Sequence, residues 1–269
     1  MVKDWIGPEP AQILSTAKDL AQARQTGQSL NQFPSPPPPD LVTAYRVQET
    51  LIGLLEQNIA GWCTQPINRT FRQALRSERI AGPILDGRII RQDPADSAPI
   101  AMAIPANWRA SLTVELIFEI GQSASAQEFD WNLESAKGLI GAVHWCAVIF
   151  AGPYASTHNF GPAYVAADLG CVEQVLIGPA IENWQACDFG SLIAQVDGNP
   201  FGVLVDEPDA PFDAMVYAAV HCAARSRPLM QGQWVSTGSI QPPLNIKVGE
   251  RVAIGFGDNG LAEINIVAR

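Results

Sequence analysis

The chain has 269 residues, of which 17 are Lys or Arg and 27 are Asp or Glu, so its formal net charge is −10. This acidity disfavours a nucleic-acid partner, because phosphate binding needs a basic surface. Only 16% of the residues are charged, against about 25% in a typical soluble domain, while 47% are hydrophobic. The composition excludes an intrinsically disordered chain, and the shortage of charge predicts that self-association into a homo-oligomer hides part of the surface.

The cysteines predict reduced thiols in a cytoplasmic protein. They are five in number and none forms a C-x-x-C pair, so neither a disulfide framework nor a zinc knuckle is indicated. Residues 1–10 contain acids and prolines where a signal peptide needs an unbroken apolar stretch. The apolar segment 138–155 is interrupted by glycine and proline and is shorter than the about 20 residues that span a bilayer, so we expect no membrane partner.

The first 80 residues are predicted to form a helical portion. Apolar side chains at helical spacing predict an amphipathic helix over 11–25. Five prolines over 33–40 forbid a helix and favour an extended segment, either a stiff spacer or a ligand for a proline-reading domain. Asp40 is suited to cap a second helix that ends near Gln57, and 70–76 is predicted to be a third.

The remainder, 81–269, is predicted to be a β-rich body that forms one structural unit with the helices. Over 113–120 the side chains alternate, which places Val114, Leu116 and Phe118 on one face and Glu115 and Glu119 on the other. Further predicted elements are a buried strand over 143–150, a helical piece over 165–168, an Ala-rich helix over 211–224, strands over 234–237, 251–256 and 262–267, and a turn at 257–260. The predicted fold class is α+β, with a mixed and mainly antiparallel β body.

Motifs spread along the chain carry a resemblance to a known family. They are Ala44–Gln48, Gly61-Trp62, 71–75, 114–120, Val175–Gly178, Arg227-Pro228-Leu229, Val235–Ile240, Pro242-Pro243, Val248-Gly249-Glu250 and Phe256-Gly257. In this order they resemble the 2-keto-4-pentenoate hydratase and 4-oxalocrotonate decarboxylase family. The resemblance implies a fumarylacetoacetate hydrolase-like fold over nearly the whole chain.

The resemblance also implies a chemistry on a small unsaturated 2-oxo (enol) acid, typical of aromatic catabolism. In the family, carboxylates hold a magnesium or manganese ion that polarises the 2-oxo group and stabilises the enolate. A lysine and neighbouring acids move protons during hydration or decarboxylation. Homo-oligomers and association with another enzyme of the same pathway are further implications.

Most positions that carry this chemistry in the family are substituted in this chain. Cys63 stands in place of the lysine, and Thr113 in place of the first carboxylate of a Glu-x-Glu pair whose second member is retained as Glu115. The third carboxylate is expected on the strand over 143–150, which contains no acid, and Ile80 replaces a further acid. With Glu115 alone, the resemblance predicts that the family's metal site is absent and that the chain has no cofactor.

Several side chains near these positions have two interpretations. Cys63, His144, Cys146 and Glu115 either converge as a soft site suited to zinc, or the cysteines and the histidine are buried core residues. Thr237 and Ser239 flank Gly238 and either bind a substrate carboxylate or mark the end of a strand. His158 is either a general acid or base that faces the substrate or a solvated loop histidine.

Two functions follow from these expectations. The first is a lyase or isomerase with altered, metal-independent chemistry, in which Glu115 is the acid–base residue, Cys63 replaces the lysine and Thr113 is a pocket hydroxyl. The alternative is a catalytically inactive family member that serves as a binding or scaffolding subunit. The substitutions favour the alternative, because removal of one member of a cooperative catalytic set already loses most of the rate. The retention of Glu115, and the capacity of a fold to host new chemistry when its site residues are exchanged, favour the enzyme, which is the function that the sequence predicts first.

Overall fold

The computed structural model describes residues 10–34, 36–93, 98–128, 130–154, 161–189, 193–203, 210–239, 241–256 and 261–269. The helices of these ranges are α1 (Pro10–Thr26), α2 (Leu41–Leu55), α3 (Arg69–Leu75), α4 (Leu133–Lys137), α5 (Pro162–Ala167) and α6 (Ala210–Ala223). The strands are β1 (Ile59–Pro66), β2 (Arg79–Leu85), β3 (Ile89–Arg91), β4 (Ile100–Ile104), β5 (Ala110–Ile120), β6 (Ile140–Ala151), β7 (Val172–Ala180), β8 (Ile193–Val196), β9 (Asn199–Val203), β10 (Trp234–Ser236), β11 (Leu244–Ile246), β12 (Arg251–Phe256) and β13 (Leu261–Ala268).

The strands form two sheets. The larger has the order β2-β1-β10-β5-β6-β7-β3, with β11 also paired to β5, and the smaller has the order β4-β13-β12-β8-β9. Among the strand pairs of the described chain, eight are antiparallel and three are parallel. The expected α+β class, with a mixed and mainly antiparallel β body, is confirmed.

Hydrophobic clusters cover both faces of the larger sheet. On β5, Val114, Leu116 and Phe118 contribute to the cluster that also contains residues of α6, β12 and β13. Ile117, from the opposite face, belongs to the cluster built with α1, α2 and α5. The predicted alternation is therefore correct. Because helices cover the second face, the Glu115 side chain lies in the interior of the protein, 1% exposed.

Several predicted elements are present within a residue or two of their expected ends. These include α1, α2, α3, α6, β12 and β13. Asp40 caps α2 as expected, since its side chain accepts a hydrogen bond from the backbone N–H of Thr43 at 2.8 Å. The apolar segment near residue 145 forms strand β6, and no helix in the described ranges is long and apolar enough to cross a membrane. The turn predicted at 257–260 lies outside the described residues.

Strand β1 departs from the expectation that residues 1–80 are helical. It pairs with β2 in antiparallel fashion and with β10 in parallel fashion, so it is an interior strand of the larger sheet. Its burial alternates between the two clusters, with Trp62 in one and Cys63 in the other. A short stretch buried on both faces lacks the polar alternation that marks a strand in a sequence. The division of the chain at residue 80 stays a prediction.

Candidate functional site

Glu115 lies at the centre of a hydrogen-bonded group in the interior. Its Oε1 accepts a hydrogen bond from the Thr113 hydroxyl at 2.6 Å. Its Oε2 accepts one from the Ser236 hydroxyl at 2.8 Å and another from the backbone N–H of Gly238 at 3.0 Å. Thr113, Glu115, Ser236 and Thr237 are each at most 5% exposed. Both oxygens of the carboxylate are therefore engaged by protein donors.

The position of β10 between β1 and β5 brings these groups together. Ser236 is opposite Cys63 in the parallel pairing with β1 and opposite Ile117 in the antiparallel pairing with β5. The chain then turns at Gly238, whose φ is +71°, and a Cβ there would lie 2.2 Å from the Thr64 carbonyl oxygen. Because a Cβ at this position would clash with the Thr64 carbonyl oxygen, only glycine fits here. The backbone conformation that glycine adopts directs the Gly238 N–H towards Glu115.

Two thiols lie beside the carboxylate. The Cys63 Sγ is 3.1 Å from the Ser236 Oγ, and Cys146 is opposite Glu115 in the pairing of β5 with β6. Burial raises the pKa of both thiols well above the usual value, and the charge of Glu115 raises the pKa further. The thiols are thus neutral. The Ser236 hydroxyl has a single hydrogen, which it donates to the carboxylate because a charged oxygen is the stronger acceptor. The Cys63 thiol therefore donates to the Ser236 oxygen.

Burial raises the pKa of the Glu115 carboxyl above its ordinary value. The hydrogen bonds from Thr113, Ser236 and Gly238, and the charge of Arg79, oppose this effect. Arg79 donates from Nη1 to the Thr237 carbonyl oxygen at 2.7 Å, so the guanidinium is fixed at the end of β10. Glu115 is consequently a buried carboxyl group in which burial raises the pKa and the surrounding donors and Arg79 oppose that rise.

This donor set does not fit a magnesium or manganese ion. Such ions prefer several hard oxygen ligands, usually with one or two carboxylates. The positions at which the resemblance places the family's carboxylates hold Thr113, Glu115 and β6 residues that carry no carboxylate, and the lone pairs of Glu115 already accept three hydrogen bonds. In the part of the chain that the structure describes, no three His, Cys, Asp or Glu side chains are placed to hold a metal.

The alternative of a zinc site at Cys63, His144, Cys146 and Glu115 is wrong. These four side chains are all described, and they do not form a metal-binding group. The His144 Nδ1 is instead 2.8 Å from the Gly178 carbonyl oxygen, and its Nε2 is 4.0 Å from Glu119. His144 is therefore a hydrogen-bonded core residue.

The predicted substrate-binding residues Thr237 and Ser239 make different hydrogen bonds in the structure. Thr237 uses its hydroxyl on backbone carbonyl oxygens, including that of Leu116 at 3.2 Å. The Ser239 Oγ accepts a hydrogen bond from the backbone N–H of Gln241 at 3.0 Å. His158 lies outside the described residues. A substrate-binding role for these three residues stays a prediction.

Two contacts of Glu115 were not anticipated from the sequence. They come from Ser236 and Gly238, whereas the sequence predicted a substrate-binding role for Thr237 and Ser239. Alternation along β10, which ends at Ser236, is a signal for the Ser236 side chain alone. The Gly238 contact is made by a backbone N–H beyond the end of the strand, so no side-chain pattern reveals it. Recognition of Cys63 and Ser236 as neighbours also requires the parallel pairing of β1 with β10, which no local pattern reveals.

The two sheets and their covering helices form a fumarylacetoacetate hydrolase-like fold, as the sequence resemblance implied. The 4-oxalocrotonate decarboxylase from Pseudomonas putida G7, solved with magnesium and adipate, is similar over 97% of this chain and 99% of its own, with a TM-score of 0.75 and 16% identity. The fumarylpyruvate hydrolase from Pseudomonas aeruginosa, solved with Mn²⁺ and pyruvate, is similar over 80% and 93%, with a TM-score of 0.54 and 14% identity. No protein-family model and no curated protein matches the sequence.

Proposed function

We propose that this chain is a non-catalytic relative of enzymes that act on small oxo acids, and that it serves as a binding or scaffolding subunit. The observation that carries the proposal is the state of Glu115. Its carboxylate is buried and accepts hydrogen bonds from Thr113, Ser236 and Gly238. In this state it links β5 to β10 and the residues that follow β10, rather than facing a substrate.

The neighbouring substitutions support the same conclusion. A metal-dependent reaction on a 2-oxo acid needs carboxylates for the ion and a basic group that moves the proton. Cys63 and Cys146 are fully buried thiols with a raised pKa, so neither supplies an anionic ligand or a basic amine. We therefore assign the chain no metal and no cofactor.

The binding partners in this proposal are a second copy of the chain or another enzyme of the same pathway. The low fraction of charged residues, 16%, supports association. Large apolar side chains are also exposed on neighbouring helices. Leu14 on α1 is 41% exposed and Val42 on α2 is 68% exposed, and both line the same surface groove. Exposed apolar surface of this kind is typical of interaction sites.

Metal content and oxalate binding test the proposal. The purified protein should contain no stoichiometric magnesium or manganese by elemental analysis. Calorimetry should show that neither ion strengthens the binding of oxalate, which mimics an enolate. The same titrations on Glu115→Gln provide the control. Stoichiometric metal that binds the wild type and is lost in Glu115→Gln would contradict the proposal.

A second candidate function is metal-independent proton transfer on a small unsaturated 2-oxo acid. It is favoured by the hydrogen-bonded series from Cys63 through Ser236 to Glu115, together with the raised pKa of the Glu115 carboxyl. A buried carboxyl with a raised pKa is typical of acid–base residues. In this candidate Glu115 takes a proton from the carbon beside the 2-oxo group and returns it to the resulting enolate, as a lyase or isomerase requires.

Exchange of deuterium from solvent into the C3 position of a panel of 2-oxo acids measures this activity directly by proton NMR. If the second candidate is correct, Glu115→Gln abolishes the exchange while the melting temperature changes little. Glu119→Gln is the matched control, because Glu119 lies on the same strand face but its side chain is 36% exposed and contacts none of the Glu115 partners. If no 2-oxo acid exchanges with the wild type, the non-catalytic function stands.

A further inference from the structure

Away from Glu115, three arginines meet two buried carboxylates. We call Arg24, Arg88, Arg269, Asp168 and Glu173 the arginine cluster. Arg24 binds Asp168 through its Nε at 2.5 Å and approaches Glu173 at 3.4 Å. Arg88 and Arg269 both bind Oε1 of Glu173, at 2.7 and 2.9 Å. Helix α1 and strand β7 thus contribute to one connected network.

The side chains of the arginine cluster carry an excess of positive charge. Three guanidinium groups face two carboxylates, so one positive charge has no counterpart within the network. Asp168 and Glu173 are at most 1% exposed. Burial lowers the pKa of Arg88, and the charges of Arg269 and Arg24 lower it further, against the opposing effect of Glu173. An additional anion would therefore be attracted to this place.

The arginines also retain hydrogen-bonding capacity. A guanidinium has five N–H donors arranged in a planar fork that matches a carboxylate. In the described chain Arg88 uses one nitrogen, on Glu173, and Arg269 uses two, on Glu173 and on the Arg24 carbonyl oxygen. The side chains of Arg88 and Arg269 are 19% and 32% exposed, so a molecule from solvent can reach them.

A cavity of about 390 Å³ adjoins the arginine cluster. All three arginines line it, together with four apolar side chains: Leu55 at the end of α2, Leu85 at the end of β2, and Leu169 and Val172 near the start of β7. Polar residues, among them Gln25 and Gln57, complete the wall. None of these wall residues contacts the Glu115 carboxylate. The cavity is a separate site in which cationic side chains and apolar side chains line one space.

We propose that this cavity binds a small organic anion, namely a carboxylate on a short aliphatic chain. The carboxylate accepts hydrogen bonds from Arg88 and Arg269 and balances the excess charge of the arginine cluster. The aliphatic chain lies against Leu55, Leu85 and Leu169. An inorganic anion fills the cationic end alone, and a neutral alcohol fills the apolar part alone, so both bind more weakly than the complete ligand.

Calorimetry with hexanoate tests the site in the full-length protein at low ionic strength. We expect one hexanoate per chain, much weaker binding of hexan-1-ol and of inorganic phosphate, and weaker hexanoate binding as sodium chloride is raised. Equal binding of hexan-1-ol or of phosphate would overturn the proposed combination of a charged and an apolar part. Absence of hexanoate binding would overturn the site itself.

Two variants locate the binding. Arg88→Gln should weaken hexanoate binding at least tenfold, but it also removes a partner of Glu173 and can disturb the fold. Gln25→Glu avoids this problem, because Gln25 is exposed on α1 and lines the cavity. The new carboxylate should weaken hexanoate binding about fivefold through charge repulsion.

Gln22→Glu is the matched control for Gln25→Glu. It makes the same change on an exposed residue of the same helix that does not line this cavity. Hexanoate binding should be unchanged in Gln22→Glu and in Glu115→Gln. Equal weakening in Gln22→Glu and Gln25→Glu, or no change in Gln25→Glu, would overturn the assignment of the site to this cavity.

Discussion

Replacement of Glu115 by methionine removes both acceptor oxygens and keeps the side-chain volume. The Ser236 hydroxyl can turn towards the Cys63 Sγ, which lies 3.1 Å away. The Gly238 N–H and the Thr113 hydroxyl lose their acceptor. A buried donor without a partner costs about 1–3 kcal/mol, so two of them cost about 2–6 kcal/mol. Release of the buried carboxylate offsets part of this, and we expect Glu115→Met to lower the free energy of unfolding by about 2–4 kcal/mol.

Glu115→Gln is the informative comparison. Its carbonyl oxygen can still accept from Ser236 and Gly238, while its amide can donate to the Thr113 hydroxyl oxygen. The free energy of unfolding should therefore stay within about 1 kcal/mol of the wild type. Urea unfolding at pH 7, with equal slopes for all proteins, measures both variants, and Glu119→Met controls for the loss of a carboxylate. A Glu115→Met protein as stable as Glu115→Gln would refute a structural role for these hydrogen bonds.

Three further outcomes are expected. Because the pKa of Glu115 is raised from its ordinary 4.5 in the folded state, the folded protein binds the proton more tightly than the unfolded chain. Stability from this group should therefore fall as pH rises from about 4.5 through the folded pKa, and a pH series of melting temperatures should show no such contribution in Glu115→Gln. A thiol-exchange reagent should modify at most Cys187 in the native protein and all five cysteines after unfolding, because the other four are buried. Gly238→Ala should cost far more than the about 1–2 kcal/mol expected from left-handed backbone strain. Gly198 has a similar φ but open space around the new methyl group. The loss in free energy of unfolding of Gly198→Ala, measured by urea unfolding, should therefore reflect the backbone strain alone.

The elements predicted from local periodicity were mostly correct. Helices α1, α2 and α6 have a buried stripe that the spacing of apolar residues reveals, and the alternation on β5 identified the face that carries Glu115. Strand β1 was missed because both of its faces are buried, so its sequence shows no alternation. The pairing of β1 with β10 joins residues 173 positions apart, and no local pattern predicts a contact of that kind.

The arrangement of the residues around Glu115 was not predictable from the sequence, and the catalytic roles given to them stay predictions. The resemblance placed Cys63, Thr113 and Glu115 at one location, and Glu115 does contact Thr113. Its second oxygen is taken by Ser236 and Gly238, which depends on how β10 is inserted. The orientation of His144 depends on the Gly178 carbonyl oxygen across the sheet. Contacts between strands that are distant in the sequence thus determine the hydrogen-bond partners of Glu115 and His144, and the individual residues do not predict those contacts.

Strand β10 has a consequence for the synthesis of the protein. It lies between β1 and β5, so it joins the antiparallel pair of β1 and β2 to the strands β5, β6, β7 and β3. All of these are made before β10 leaves the ribosome, and until then the edges of β1 and β5 have no partner. Exposed strand edges favour pairing between chains. The growing chain is therefore most prone to aggregate before residue 234 emerges, and its larger sheet closes only near the end of translation.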